Sequence, residues 1–180
     1  MPGMSRYLQT VFTSYFVVYL TVLGYGLAAA GSVFSVAMLV AVPGRVLWGW
    51  LGSGHVAPRV VMGGLALGMA ASSALAGLYG PLWPVLLVGL VASGLSATAM
   101  SWHGVLLAET ARLAPQGSRG AATGGVLSFG QVGALVLPLA YAFLLGVTGS
   151  YGVGFMVCAV PALLVGVVLL RTGEPPSRAG

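Results

Sequence analysis

The sequence contains no lysine, aspartate, asparagine or isoleucine, and only 5% of its 180 residues are charged. Because a water-soluble domain carries about 25% charged residues, this composition excludes a soluble globular protein. A disordered chain is also excluded, since disordered segments are polar and highly charged. With 58% hydrophobic residues and a mean hydropathy of +1.02, the chain is predicted to be an integral membrane protein.

Reactive side chains are equally scarce. Without aspartate there can be no aspartyl dyad, and the sequence has neither a His-Glu-x-x-His metal motif nor a Gly-x-x-x-x-Gly-Lys phosphate loop. A Gly-x-Ser-Gly serine-protease motif is also absent, and the single Cys158 cannot form an internal disulfide. We therefore expect no enzymatic activity, no catalytic residue, no metal site and no cofactor.

Three long blocks of the chain carry no formal charge. They contain 38, 49 and 51 residues and lie between Arg6 and Arg45, between Arg59 and Glu109, and between Arg119 and Arg171. Since a spanning helix needs about 20 residues, each block holds two spans, joined by a turn that glycine, proline and aromatic residues mark. The sequence predicts an all-α polytopic membrane protein, a single bundle of six transmembrane helices at about 7–25, 29–47, 60–78, 82–108, 121–147 and 151–170.

All seven arginines fall on one side of this topology, and none falls in the three turns. An excess of arginine or lysine marks the cytoplasmic side, so we expect cytoplasmic termini, cytoplasmic loops at 48–59 and 109–120, and a cytoplasmic tail at 171–180. Lysine, asparagine and isoleucine share AT-rich codons, and their absence indicates a GC-rich bacterial genome and a bacterial inner (cytoplasmic) membrane. Membrane loops explain the net charge of +5 better than nucleic-acid binding does. The small residues at 28–31 also fit a signal-peptide cleavage site, but only one arginine precedes a long apolar run.

Two stretches of the sequence resemble the major facilitator superfamily of transporters. In the first, Gly44, Arg45 and Gly49 match the family's signature between the second and third helices of a half. Ser53 occupies the place of the family's acidic residue, and only Arg59 remains of its basic cluster. The resemblance implies that Arg45 takes part in a cytoplasmic charge network that governs gating, although the missing acid departs from the pattern.

The second stretch runs from Trp102 to Gly124 and is similar to the region of the tenth and eleventh helices in bacterial members. The residues that match the family's pattern in this region are Glu109, Arg119, Gly120 and Gly124. Glu109 is expected to pair with Arg112 or Arg119 at the cytoplasmic helix end. The resemblance covers nearly the whole chain and implies the C-terminal six-helix half of a bacterial transporter with twelve helices.

A half of this kind implies partners. In such transporters the substrate lies between two six-helix halves, so we expect the lipid bilayer, a small-molecule solute, and either a second six-helix half or a homodimer copy as partners, with no nucleic acid. The expected function is transport of a small solute as part of a secondary transporter. The alternative is a truncated or non-transporting membrane scaffold or a channel-like protein.

Polar side chains are concentrated on the first, fourth and fifth predicted helices. Polar groups in hydrocarbon turn toward protein or water, so these helices should face an interior, and the third and sixth should face lipid. The candidates for a substrate pathway are Thr10, Ser14, Tyr15, Thr21, Ser96, His103 and Gln131. His103 is the one candidate that changes charge near neutrality, which suits proton coupling. The structural alternative is that serine and threonine bond back to their own helix.

The helix assignments also predict which residues meet lipid and which permit close packing. Residues expected to be protected from lipid are Thr13, Ser14, Ser96 and Gln131, whereas Val157 and Val165 on the sixth helix are expected to face it. Two pairs of glycines spaced four residues apart should let helices approach closely, namely Gly64 with Gly68 and Gly120 with Gly124.

Overall fold

The structure is a computed structural model that describes residues 2–115 and 117–171, and every regular element in them is helical. Seven α-helices and one π-helical turn follow in chain order: α1 Pro2–Val22, α2 Leu27–Trp50, the π-helical turn Leu51–His55, α3 Pro58–Gly77, α4 Val85–Ala99, α5 Trp102–Leu113, α6 Arg119–Thr148 and α7 Tyr151–Arg171. Five helical stretches in the described part are long and apolar enough to cross a membrane, with α4 and α5 counted as one, and α1 contributes the shorter apolar segment Leu8–Val22. The predicted all-α, polytopic membrane fold is confirmed.

The structure corrects the boundary of the predicted loop 48–59. Helix α2 continues to Trp50, and the π-helical turn extends the helical path to His55. The chain becomes extended only at Val56 and Ala57, immediately before Pro58. A residue that precedes proline is disfavoured in helical conformation, whereas nothing between 48 and 55 stops a helix as strongly. The predicted tail 171–180 lies outside the described residues except for Arg171.

The predicted fourth helix, 82–108, corresponds to the stretch Val85–Leu113, which is long and apolar enough to cross a membrane, but within it α4 and α5 are separated at Met100 and Ser101. At the break the N–H of Ser101 bonds to the carbonyl of Thr98, three residues earlier, at 3.3 Å. Two hydroxyls also donate to their own helix, Thr98 to the Gly94 carbonyl at 2.8 Å and Ser101 to the Ala97 carbonyl at 2.6 Å. Such back-bonding bends helices, and it supplies a local cause for the break.

The three turns without charge meet at one end of the bundle. The Tyr25 hydroxyl after α1 donates to the carbonyls of Gly80 and Trp83, between α3 and α4, at 3.1 and 2.8 Å. The ring of Tyr19 stacks on that of Tyr151 at the start of α7, with centroids 5.8 Å apart. We call this the aromatic end; its rings belong to Tyr19, Tyr25, Tyr79, Trp83, Tyr141, Tyr151 and Phe155. The opposite end, which we call the arginine end, carries Arg45, Arg59, Arg112, Arg119 and Arg171.

The third and sixth predicted helices, α3 and α7, pack closely against each other. The Ser73 hydroxyl on α3 donates to the Phe155 carbonyl on α7 at 2.8 Å. A Cβ atom added to Gly152 would lie 2.5 Å from the Gly77 carbonyl oxygen, so the two backbones nearly touch. One face of each helix is therefore buried, and the prediction that Val165 faces lipid is wrong, since Val165 is 7% exposed. Val157, at 46%, lies on the exposed face as predicted.

The two predicted glycine pairs behave differently. A Cβ atom on Gly68 would meet the Thr98 methyl carbon on α4 at 2.8 Å, so this glycine permits close contact between α3 and α4. Nothing in the described structure lies within 4 Å of a Cβ added to Gly120 or Gly124. The close packing predicted at Gly68 is confirmed, and the two glycines of α6 make no such contact inside this bundle.

Candidate solute cavity

A cavity of about 490 Å³ opens at the arginine end of the bundle. Four elements wall it: the first half of α1, the last turns of α2, the break with the start of α5, and α6. The cavity is open on one side, and Thr13 of α1, which lines it, is exposed. The cavity is large enough for a small organic molecule, since ligand pockets have volumes of about 300–1,000 Å³.

Helix α1 lines the cavity with Gln9, Thr10 and Thr13. These positions lie on one face, since residues four apart in a helix point the same way. The Thr13 hydroxyl donates to the carbonyls of Gln9 and Thr10 at 3.0 and 3.1 Å. Because its proton is used within the helix, the Thr13 oxygen offers the cavity an acceptor rather than a donor.

Helix α2 contributes the charge of the cavity through Arg45. The preceding Gly44 lets α2 approach α4, since a Cβ there would lie 3.1 Å from the Ala97 Cβ and 3.2 Å from its Cα. This approach brings Arg45 to the break, where its Nε donates to the Met100 carbonyl at 3.2 Å. Carbonyls near a helix end lack a partner within the helix, and Met100 is the residue at which α4 ends.

The remaining wall is mixed in polarity. The break and α5 supply Met100, Ser101, the half-buried His103, and apolar groups that include Val105. Helix α6 adds Leu127. Among the described residues that line the cavity there is no carboxylate, so Arg45 has no acidic neighbour among them. The arrangement can bind a solute through one cation, several neutral polar groups and an apolar surface.

Of the seven predicted pathway residues, the structure places Thr10 and His103 on this cavity. Ser14 and Gln131 lie exposed on the outside of α1 and α6. The same holds for Thr13, which is exposed and also lines the cavity. The predicted roles of all these residues stay predictions.

The other three pathway candidates lie away from the cavity. The ring of Tyr15 packs against that of Tyr141, with centroids 4.7 Å apart. The Thr21 hydroxyl donates to the Val18 carbonyl at 2.8 Å, which is the back-bonding that the structural alternative describes. Ser96 is fully buried, and its hydroxyl lies 3.9 Å from the Met38 sulfur. Tyr15 and Ser96 therefore make contacts typical of packing between helices, and Thr21 bonds within its own helix.

The candidates for a cytoplasmic charge network separate into distinct places. Glu109 and Arg112 form a bidentate ion pair with distances of 2.6 and 2.8 Å. With Ser53 they line a second cavity of about 160 Å³. Arg119 is exposed at the first position of α6. Arg45 belongs to the larger cavity instead, and among residues 2–115 and 117–171 the one ion pair is that of Glu109 with Arg112.

Several residues of the cavity were not among the predicted site residues. Gln9 and Thr13 are spaced four apart on α1, so they could have been found as one polar face together with Thr10. Met100 and Ser101 depend on the break, whose signal is the run of Ser96, Thr98 and Ser101 with hydroxyls able to bond back to the helix. The mutual position of α2 and α5 has no signal of this kind, because it depends on tertiary packing.

These features define a polytopic helical membrane protein with a polar cavity at one end. The model of the Major Facilitator Superfamily matches residues 3–180, and the chain belongs to that family. No curated protein matches the chain. Because the superfamily consists of transporters, membership assigns the chain to membrane transport at the level of the superfamily.

Proposed function

We propose that the chain is the C-terminal six-helix half of a bacterial secondary transporter, and that it carries a small solute through the cavity at the arginine end. The observation that carries this proposal is the cavity itself, a space of about 490 Å³ with charged, polar and apolar groups on its wall, inside an apolar bundle. A structural scaffold has no need for such a space, and polar groups in hydrocarbon are costly unless they meet protein or water.

The open side of the cavity supports the need for a second half. Thr13 and Ser14 on α1 and Ser128 and Gln131 on α6 are exposed on the surface of the single bundle. In a membrane this surface would meet lipid unless another six-helix body covered it. We propose that either a second half or a second copy of this chain does so, which would enclose the solute between two halves.

The difference between the two ends supports a proposal for the side to which the cavity opens. The aromatic end is closed by ring packing and by hydrogen bonds between turns, whereas the arginine end holds the cavity. Because arginine marks the cytoplasmic side, we propose that the cavity opens toward the cytoplasm of a bacterial inner membrane, with both termini on that side. Transport would then need the two halves to rock until the aromatic end opens.

Residues of the cavity suggest how transport is driven. His103 lies on its wall, and imidazole changes charge near neutral pH. We propose that His103 takes up and releases the proton of a proton-coupled cycle, which requires neither nucleotide hydrolysis nor a cofactor. A His103→Gln variant should then transport solute down its gradient but no longer accumulate it against a gradient when a pH difference is imposed.

Orientation is tested by labelling single cysteines in a Cys158→Ser background. A cysteine at Gly80, between α3 and α4, should react with a membrane-impermeant thiol reagent added to intact cells. A cysteine at Ser118, just before α6, should react only after permeabilisation. The reverse pattern would overturn the proposed orientation.

The half-transporter proposal is tested by reconstitution. Vesicles that contain the chain together with a second six-helix half, or the chain as a crosslinked dimer, should accumulate solute, whereas a strictly monomeric chain should not. Cysteines at Ser14 should crosslink across α1, and cysteines at Val157 on α7 should not. Transport by the monomer, or crosslinks confined to α3 and α7, would contradict the shared cavity, and assembly without any transport would favour a scaffold.

A further inference from the structure

We propose that the solute is a small organic anion with a single carboxylate, and that Arg45 binds this carboxylate in the cavity. The inference rests on the proposed transport function, which by itself leaves the chemical class of the solute open. It starts from Arg45 on the cavity wall, since none of the other described residues that line the cavity is a glutamate or an arginine.

The two cavities differ in how their charges are balanced. Glu109 is the acidic residue in the described part of the chain, and it is held by Arg112 in a bidentate pair on the smaller cavity. Arg45 has no carboxylate within ion-pair distance among the described residues. Arg45 is exposed and lines the open cavity, and a cleft that carries charge of one sign attracts ligands of the opposite sign, so the larger cavity favours a solute that brings a negative charge.

The second step concerns the geometry of the guanidinium. Its Nε is occupied by the Met100 carbonyl at 3.2 Å, and Gly44 fixes the approach of α2 to α4 that makes this bond possible. Within residues 2–115 and 117–171, the structure gives this side chain no further hydrogen bond. The terminal nitrogens therefore keep their N–H donors for the cavity, where a planar guanidinium matches the two oxygens of a carboxylate.

The third step concerns the size and charge of the ligand. Arg45 is the arginine among the described lining residues, and while His103 is neutral it balances one negative charge, which favours a monocarboxylate over a phosphate group with two charges. The space of about 490 Å³ leaves room for an organic body beside the carboxylate. Apolar side chains at Val105, Leu107 and Leu127 can contact that body, and Gln9 can bond to a polar substituent.

The test uses the assembled transporter and pairs of probes that differ only in charge. Lactate and benzoate are compared with lactamide and benzamide, first by the shift in thermal midpoint that each gives on binding and then by uptake into vesicles. The variants are Arg45→Gln, which removes the charge, and Arg45→Lys, which keeps it without the planar fork. Arg171→Gln, at the exposed end of α7, is the matched control for loss of one arginine.

The expected result is that at least one carboxylate raises the thermal midpoint and its amide does not. Arg45→Gln should lower the affinity for that carboxylate by about 10-fold to 100-fold, as expected for loss of a charged hydrogen-bond partner. The affinity of Arg45→Lys for the carboxylate should lie between those of the wild type and Arg45→Gln. The affinity of Arg171→Gln should equal that of the wild type. The comparison of acid with amide is made in the wild type, so it stands even if a variant fails to fold.

The outcomes separate this inference from the proposed function. If carboxylates and amides bind equally, or if Arg45→Gln binds carboxylate as the wild type does, the anion site is wrong. If neutral solutes alone are taken up, the proposed transport function is supported and the proposed anion site is contradicted. If carboxylates bind at Arg45 but no solute is taken up, the anion site is supported and the transport function is contradicted.

Discussion

The aromatic end and the arginine end of this bundle are built from the same helices in opposite ways. At the aromatic end, Tyr19, Tyr79 and Phe155 are buried, and tyrosine hydroxyls bond the turns to one another. At the arginine end a helix is broken at Met100, a guanidinium reaches the break, and a cavity remains open. The aromatic end is packed as densely as a protein core, whereas the arginine end leaves polar groups accessible in the cavity.

The contrast between the two ends indicates that residues at the aromatic end stabilise the fold, whereas residues at the arginine end serve binding and transport. Regions with dense apolar contacts resist opening, whereas regions with few such contacts and many polar groups are those that move and bind. Substitutions at the aromatic end should therefore change the free energy of unfolding, and substitutions around the cavity should change binding and transport with smaller effects on stability. The predictions below test this division.

The largest effect is expected for Gly152→Ala at the aromatic end. The added Cβ would lie 2.5 Å from the Gly77 carbonyl oxygen, and a backbone atom cannot swing aside as the end of a side chain can. Overpacking of this kind costs about 1–3 kcal/mol. The midpoint of thermal unfolding in detergent should fall accordingly.

The matched control for this substitution is Gly146→Ala on α6. Nothing lies within 4 Å of a Cβ at Gly146, so the change should be neutral or stabilising by up to about 1 kcal/mol through helix propensity. Equal thermal midpoints for Gly152→Ala and Gly146→Ala would contradict the close contact between the backbones of α3 and α7 at Gly152.

A smaller effect on stability is expected for Gly44→Ala at the arginine end. The new Cβ would lie 3.1 Å from the Ala97 Cβ, so α2 must retreat from α4 by a few tenths of an ångström. Strain and the gain in helix propensity should nearly cancel, for a net change within about 1 kcal/mol. Arg45 would move away from Met100, and solute binding should weaken more than stability.

Gly31→Ala on the same helix is the control for this variant, because nothing lies within 4 Å of its Cβ. Solute affinity and thermal midpoint are measured for both variants. If Gly44→Ala loses stability but binds solute as Gly31→Ala does, the close approach at Gly44 serves packing alone.

The smallest effect is expected for Glu109→Gln, which breaks the ion pair with Arg112. The Arg112 side chain is 63% exposed, and an exposed pair contributes about 0–1 kcal/mol. The thermal midpoint should change little, and less still in high salt, which screens exposed charges. A large, salt-independent loss of stability would show that the pair is part of a buried network.

The fold was predictable where a local signal existed. Uncharged blocks between charged residues predicted six spans, and glycine with tyrosine or tryptophan marked the turns, which meet at one end as expected. The end of α2 was misjudged, because the arginine and the glycines near residue 48 looked like a loop although only Pro58 stops the helical path. The burial of Val165 was missed, since a uniformly apolar helix does not reveal which face contacts its neighbour.

The cavity was predictable only in part. Polar residues on α1 and the position of His103 pointed toward an interior, but the role given to Arg45 came from a loop signature. Its place on the cavity depends on Gly44, on the break at Met100 and on the crossing of two helices distant in sequence. Such tertiary placement leaves no periodic pattern in a single sequence.

The central claim is that the cavity at the arginine end is an aqueous pathway for solute. It is tested most directly by thiol labelling in permeabilised cells, in a Cys158→Ser background, with cysteines at Thr13 and Leu107 on the cavity and at Val36 and Val157 on the exposed apolar faces. The cysteine thiolate, which forms in water and not in lipid, is the nucleophile that attacks a charged thiol reagent. The account predicts rapid labelling at Thr13 and Leu107 and almost none at Val36 and Val157, whereas equally slow labelling at all four positions would contradict it.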